Sequence, residues 1–553
     1  MAIERRVGKR AGKAVLAWVF LCSGTALAGL LSIKGELVWV AAGIPIAALA
    51  LAWLSFRCRF AERVLASFCL GRAALSLVLA AYAASLYTGI FQTHLLSLGA
   101  AAASAQFAGL IGRYGAAFAV CAGVAAIPAL FIYLYWFTGW FFEWMRAAFG
   151  GADRVERRYL LAAALVFSAV IALVYARTDV FYGANAASDN TWDKVDIVYS
   201  SDSSLLNEQN VFYNIGATEN DIRQPLFGAF AAPFALAASL VSRLLLLPGA
   251  YYALLQMLQG MLLALSLVLI ARMIGAAGAV KALLLVCLSL LYPTLLYLLN
   301  MEQYVFAVFW LILLIWLSVC SARGGRDLAW AAATGSMLTS GVFLLLVPGE
   351  GTPKQKLKKA VSAVAGFILI TIVLGRTAMV AATAEKLRFL MQFTGEKLPF
   401  SARLMQYVQF AASCLIAPAA QIERYANGIW VFHQTEITHW SLLGAACIAA
   451  AAAGFALNRK RRYAQICAGW AAFSFLLLCV LGWGTSEHAL VLYTLYFSWA
   501  FVSLIVLLIT RVLANARAAQ IAALSAAAIA LAAVNLPGIA QLVRFGLAYY
   551  PLG

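Results

Sequence analysis

The sequence predicts an all-α polytopic membrane protein, and three observations carry that expectation. Of 553 residues, 64% are apolar (AVILMFWYC), 11% are charged, and the mean hydropathy is +0.89. A soluble domain holds about 25% charged and roughly 45–50% apolar residues. The apolar residues gather into runs near the length of about 20 that a helix needs to cross a bilayer. The basic residues cluster between alternate runs, as the positive-inside rule requires. These features exclude a soluble enzyme, a disordered chain and a nucleic-acid-binding domain. The net charge of +18 is therefore read as a topology signal, with no nucleic-acid partner.

Taken in order, spans are expected at 14–32, 37–55, 70–88, 116–139, 159–176, 249–271, 279–298, 303–320, 360–376, 438–456, 464–482, 489–510 and 518–536. Counting interrupted runs, this gives about 13–15 transmembrane helices. The first is not a cleavable signal peptide, because no small-residue cleavage site precedes Lys34 and a second span follows at once. The run 329–349, broken by Gly335, Thr339, Ser340 and Gly341, reads as two half-helices that enter and leave on one side. Residues 226–247 are apolar enough to cross, but counting them as a span would put Arg459-Lys460-Arg461-Arg462 outside. With Pro233 taken as an interruption, they read as an outer-face interfacial or re-entrant helix. The ten cysteines form no disulfide framework, and only Cys414 lies in a polar stretch.

Arg5, Arg6, Lys9, Arg10 and Lys13 place the N-terminus in the cytoplasm. The expected location is the plasma membrane, multi-pass, with an N-terminal four-helix module over 1–150 and a core over 151–553. Two long outer segments, 177–225 and 377–437, then hold most of the polar chemistry. The first follows the fifth helix and carries Asp179, Asp189, Asp193, Asp196, Asp202, Glu208, Glu219 and Asp221. A connector of that length is usually functional or disordered, and Tyr199, Val211, Phe212, Tyr213 and Ile215 supply material for packing. The second reads as amphipathic and fit to lie on lipid headgroups. His94, His433, His439, His488, Glu302 and Glu487 all fall on the outer side, so the chemistry is expected there.

The acidic loop after a span, followed by Arg223-Gln224-Pro225-Leu226-Phe227, resembles the C-type (GT-C) superfamily of membrane glycosyltransferases. There, an acid in the first outer loop precedes a turn of this kind and a juxtamembrane helix. YPTLLYLLNMEQYVFAVFWLILL (292–314) resembles the family's proline at a helix end followed by an acid opening the next span. LGWGTSEHALVLYTLYFSW (481–499) resembles a late outer-loop segment of bacterial members. The resemblance covers 159–510 in degenerate patterns, and leaves 1–150 as an added module.

It implies transfer of a sugar from a polyprenyl-phosphate-linked donor to a hydroxyl acceptor, a cell-envelope glycan, lipid or teichoic acid, by inversion on the outer face. Asp202 in SSDSS is the expected catalytic base, with Asp196 as runner-up; the plainer reading makes Asp202 one solvated acid among eight. Arg223 is placed on the donor phosphate, with a lipid headgroup or a loop acid as its plainer partner. Gln224 is grouped with it, although with Pro225 its first role is to shape the turn. Glu302 and Gln303 are expected to line the cavity, the alternative for Glu302 being a helix N-terminal acid favoured by the macrodipole. Glu487 and His488 are expected at the leaving phosphate or acceptor hydroxyls, or else as an interfacial pair. No cofactor is required; a divalent cation is the one candidate, and no metal ligands are assigned. His433, Glu436 and His439 do not share a helical face. The competing classes are a transporter or flippase for a lipid-linked saccharide, and a non-catalytic partner of an envelope polysaccharide system.

Overall fold

The computed structural model describes the chain except residues 1, 33–36, 101–103, 184–196, 200, 202–205, 207–210, 216–221, 248, 321–325, 347–351, 392–393, 395–397, 425–427, 436–440, 486–489 and 553. Within it the helices run α1 (Ala2–Ser32), α2 (Leu37–Ala52), α3 (Phe60–Leu65), α4 (Leu70–Ala100), α5 (Ala105–Phe149), α6 (Arg154–Tyr175) and α7 (Phe227–Leu244). They continue as α8 (Ala250–Ile274), α9 (Gly278–Ser289), α10 (Tyr292–Leu299), α11 (Tyr304–Val319), α12 (Arg326–Ser336), α13 (Phe343–Leu346) and α14 (Pro353–Val373). The last are α15 (Thr377–Ala381), α16 (Thr383–Leu390), α17 (Phe400–Ser413), α18 (Ser441–Asn458), α19 (Arg462–Ser474), α20 (Thr494–Val512) and α21 (Arg517–Tyr549). By length and composition, ten helical segments among the described residues can cross a membrane, or eleven when the bent pair α9–α10 is one span. The apolar α11 and 442–458 are shorter. The protein is thus a helical, multi-pass membrane protein.

The chain divides into two compact units. The first comprises 1–151, 210–248 and 350–386; the second comprises 152–209, 249–349 and 387–553. In the first unit α5 packs along α4 and α1, α2 packs on α14, and α7 lies on α4 and α5. Contrary to the expected interruption, α7 runs unbroken through Pro233. Proline removes the hydrogen bond to the carbonyl four residues back, here that of Ala229, and the Tyr133 hydroxyl from α5 donates to that oxygen instead. Beside Pro128 of α5, the Ala129 N–H is taken by Ser23 Oγ of α1 at 2.9 Å. Side chains of neighbouring helices thus satisfy the backbone groups that proline displaces, as an apolar surrounding demands.

In the second unit α6 packs on α8, α8 on α11, and α11 on α12, while α18 and α19 pack on α20. The expected single span 279–298 bends by 59° between α9 and α10. The polar groups exposed by the bend are met from α21: Asn535 Nδ2 donates to Leu290 O (2.7 Å) and Leu415 O (2.8 Å), and its Oδ1 accepts from Ala417 N (2.8 Å). The run 329–349 is broken where expected. An 11-residue helix, α12, gives way to a 3₁₀ turn over Leu338–Val342, which α13 follows.

Within 377–437, the stretch from Tyr407 onward packs inward and does not lie on a surface. Helix α17 buries Tyr407, Phe410, Ala411 and Ala412, and Cys414, expected in a polar stretch, is fully buried. An antiparallel hairpin follows, β1 (Ala420–Arg424) with β2 (Trp430–Gln434), an exception to the all-α expectation. Phe432 of β2 is buried and pairs with Val198 of the acidic segment.

The start of α6 carries a buried ion cluster. Asp153 caps the helix, with Glu156 completing a capping box. Glu156, 2% exposed, also accepts from Arg272 Nε (2.8 Å) and Nη2 (2.5 Å) and from Lys281 Nζ (2.8 Å). Lys281 reaches Asp153 at 2.6 Å. These bonds join α6, α8 and α9. Arg272, in the last turn of α8, and Lys281, near the start of α9, are therefore structural partners of these two acids.

Candidate functional site

The opposite end of α6 builds a different environment. Its last turn leads into a tight turn in which Tyr182 N–H and Gly183 N–H both donate to Asp179 O. Three bonds hold that turn. Thr178 Oγ1 donates to Tyr550 O (2.7 Å), Leu552 N–H to Arg177 O (2.9 Å), and Met301 N–H to Phe181 O (3.0 Å). Tyr175 adds its hydroxyl on Leu299 O at 2.6 Å. Asp179 therefore sits on a segment stitched to the one carrying Glu302 and Gln303.

Asp179 is half-buried, and burial pushes its carboxyl above the ordinary carboxylate range. It lies within electrostatic range of the Tyr182 and Tyr550 hydroxyls. The Tyr182 hydroxyl is pushed up to about 12, by burial first, then by the Asp179 charge and by Tyr252. The rings of Tyr175, Tyr182 and Tyr252 form a ladder with centroids 4.7 and 4.6 Å apart.

Glu302 is 1% exposed and Gln303 3%. The Glu302 carboxyl is within electrostatic range of the Tyr297 hydroxyl, which donates to Leu492 O. Tyr304 meets Tyr493 edge to face, and the Tyr493 hydroxyl accepts from Trp483 Nε1 at 2.8 Å. Glu302 and Gln303 are thus flanked in sequence by tyrosines that contact the 483–493 segment. Gln303 Oε1 is buried without a hydrogen-bond partner, an oriented acceptor beside an acid.

The remaining candidates are distributed as follows. Asp202, Asp196, Glu487 and His488 lie outside the described residues, as do His439 and Glu436. The chain between Asp196 and Asp202 is anchored at Ile197 and Tyr199: Phe432 N–H donates to Ile197 O, Tyr199 N–H to Phe432 O, and Tyr292 Oη to Tyr199 Oη at 2.7 Å. Tyr199 holds a left-handed backbone (φ 49°), a strained state for a bulky residue that surrounding contacts must enforce. Arg223 and Gln224 belong to the first unit. Gln224 is buried and its carbonyl accepts from Phe227 N–H at the entry to α7, the turn-shaping role. Arg223 is half-buried. His433 is engaged by Glu423 (2.8 Å) and Gln421 (3.2 Å) across the hairpin.

The residue that sequence reasoning passes over is Asp179. Its available signal is position, since it is the first acid after the fifth span, four residues beyond the end of α6. Among the described residues no group of three His, Cys, Asp or Glu side chains could hold a metal ion. No family model, curated protein or solved structure matches the chain.

Proposed function

We propose that the protein is a membrane glycosyltransferase of the GT-C type, moving a sugar from a polyprenyl-phosphate-linked donor to a hydroxyl acceptor on the outer face of the plasma membrane. One observation carries the reading: at the loop end of a helical membrane unit, a half-buried and a fully buried carboxyl ride on segments joined by the Met301–Phe181 hydrogen bond. A base removes the acceptor proton as the acceptor oxygen attacks the anomeric carbon. The bond from that carbon to the phosphate oxygen breaks, and the polyprenyl phosphate leaves with the electron pair. A carboxylate with a raised pKa suits proton removal. Asp202, Asp196 and Asp179 are the candidates for that base, and Glu302 with Gln303 would hold sugar or acceptor hydroxyls. His488 would neutralise the phosphate, and Glu487 would bind acceptor hydroxyls.

The test is transfer of radiolabelled sugar from a polyprenyl-phosphate donor into envelope glycan or lipid by membranes containing the full chain. Asparagine at the true base is expected to lower transfer by about 10²–10⁴-fold. Undiminished transfer with all three aspartates replaced overturns the reading. The alternative, a transporter or flippase, is favoured by one observation, the two discontinuous helical stretches α9–α10 and α12–α13 in the second unit.

A further inference from the structure

In the first unit, three segments able to cross a membrane meet around residues 53–72: one begins at Ala11, a second ends at Arg57 and a third begins at Leu70. The ends of spans lie at headgroup depth. This stretch carries Arg57, Arg59, Arg63 and Arg72 against one acid, Glu62. Lys13 takes that acid at 3.0 Å, and among the described residues none of the four arginines has an acid partner. Arg57, Arg59 and Arg63 are exposed. Three unneutralised cations therefore stand beside the bilayer.

The backbone that carries them is held in place. Helix α2 runs into a π turn over Trp53–Arg57, and Arg59 has a left-handed backbone (φ 50°) at the entry to α3. Such a conformation persists in a residue other than glycine where the surrounding structure imposes it. On one side Ala61 is buried with Phe20, Leu51 and Ile132. On the other the Tyr135 hydroxyl donates to Ser67 O (2.7 Å) and accepts from Cys69 N–H (2.8 Å). Arg72 lies over the Tyr135 ring, 3.9 Å from its centroid, and donates to Ser67 O at 2.9 Å. Trp18, Trp53, Phe56 and Phe68 are exposed along the same end, Trp18 and Phe56 meeting edge to face at 5.5 Å. Exposed aromatic rings beside basic groups fit the boundary between acyl chains and headgroups. The run Arg459-Lys460-Arg461-Arg462 is as basic but lacks this frame, since the aromatic that follows it, Tyr463, is buried with its hydroxyl bonded to Ser503.

We infer that Arg57, Arg59 and Arg63 form a docking site for the headgroup of an anionic phospholipid. The guanidinium fork matches phosphate oxygens. Cations without acid partners favour a lipid of net negative charge over a zwitterionic one, and the exposed rings pack on its upper acyl chains. The site lies in the first unit and does not rest on the glycosyltransferase reading.

The experiment titrates the purified full chain in neutral detergent with phosphatidylglycerol, phosphatidylcholine or inorganic phosphate, and follows the midpoint of thermal unfolding by tryptophan fluorescence. Phosphatidylglycerol is expected to raise the midpoint saturably, the other two not. Replacing all three arginines, Arg57→Gln with Arg59→Gln and Arg63→Gln, is expected to raise the lipid needed for half the response by roughly 10²-fold, about fivefold per arginine. Arg59→Gly, which the left-handed backbone accommodates, is expected to shift it by about fivefold. That variant decides the matter if the triple one does not fold. Glutamine at Arg459, Lys460 and Arg461 removes the same charge and leaves the response intact. Equal responses to the two lipids, or an equal response to inorganic phosphate, overturn the inference. So does an unchanged titration in Arg59→Gly, or an equal loss in the 459–461 variant, which assigns the effect to overall charge.

Discussion

The two ends of α6 hold the same residue types in opposite states. At its start, Asp153 and Glu156 are matched by Lys281 and Arg272, and the Lys281 hydrogen bond, first among the causes, holds the Asp153 carboxyl below its usual range. Past its end, Asp179 has no cation paired with it among the described residues, and burial holds its carboxyl above that range. Opposite charges stabilise a carboxylate, while desolvation penalises it. The first arrangement is a clamp whose ionised state stabilises the fold. The second keeps a carboxyl poised to exchange a proton, a trait typical of functional sites.

The largest test of this contrast is Glu156→Gln. Removing one member of a buried ion cluster leaves its partners uncompensated and costs about 3–5 kcal/mol. The substitution should sharply lower the midpoint of thermal unfolding and the yield of folded protein. Asp179→Asn should do the reverse, leaving the midpoint unchanged or slightly raised while transfer falls. If the two variants lose stability equally, the contrast between clamp and site is wrong.

Asn535→Leu probes how the same unit manages polar groups with a neutral side chain. It leaves the Ala417 N–H and the Leu290 carbonyl short of a partner, while the Leu415 carbonyl keeps the Tyr292 N–H. At about 1 kcal/mol or more for each buried group left unsatisfied, a loss of about 2 kcal/mol is expected, less than for Glu156→Gln. It is read from the same melts.

Most helices are legible in the sequence because an apolar run has few alternatives in a membrane. Points where a distant side chain decides the outcome are not. Pro233 signals a break, but Tyr133, 100 residues earlier, supplies the missing hydrogen bond. The span 279–298 carries a local kink signal, Pro293 in the first turn of α10, but the compensator of its 59° bend, Asn535, lies on a distant helix. Lys281 and Arg272 look like surface charges until Glu156 is known to be their neighbour. The hairpin did have a local signal, Asn427-Gly428 between two short runs, with Gly428 at φ 86°. Of the candidate site, the position of Glu302 and Gln303 at the opening of a helix is legible, since α11 begins at Tyr304. Asp179 is not singled out, because seven other acids in the same loop carry equal weight until burial distinguishes it.

Acid titration separates the ends by sign. Asp153 has a folded pKa below its unfolded value, so its contribution is present above the unfolded pKa, about 4, and is lost as pH falls through the folded value. Asp179 is shifted the other way, so protonation favours the folded state and its cost appears as pH rises above the unfolded value. Melts of the wild type below about pH 4 should therefore show a loss that Asp153→Asn makes smaller, the remainder belonging to Glu156 in the same cluster. Asp179→Asn should leave that acid loss in place and raise the midpoint slightly at neutral pH. An acid loss unchanged in Asp153→Asn rules out Asp153 as its source.

The smallest expected effect tests whether the tyrosines tune Asp179. The Tyr182 hydroxyl is neutral at working pH, since burial and the neighbouring carboxyl push it up to about 12. A neutral hydroxyl dipole near a carboxylate favours the charged form, and Tyr182→Phe removes it while keeping the ring between Tyr175 and Tyr252. Asp179 should then ionise at a higher pH, by less than about one unit, or about 1.4 kcal/mol. If Asp179 is the base, the acid limb of the transfer-rate profile moves up by that amount, while the midpoint of unfolding, governed by the Glu156 cluster, does not move. A limb that stays fixed or moves down means that the ring ladder only packs the turn, and that burial alone sets the state of this carboxyl.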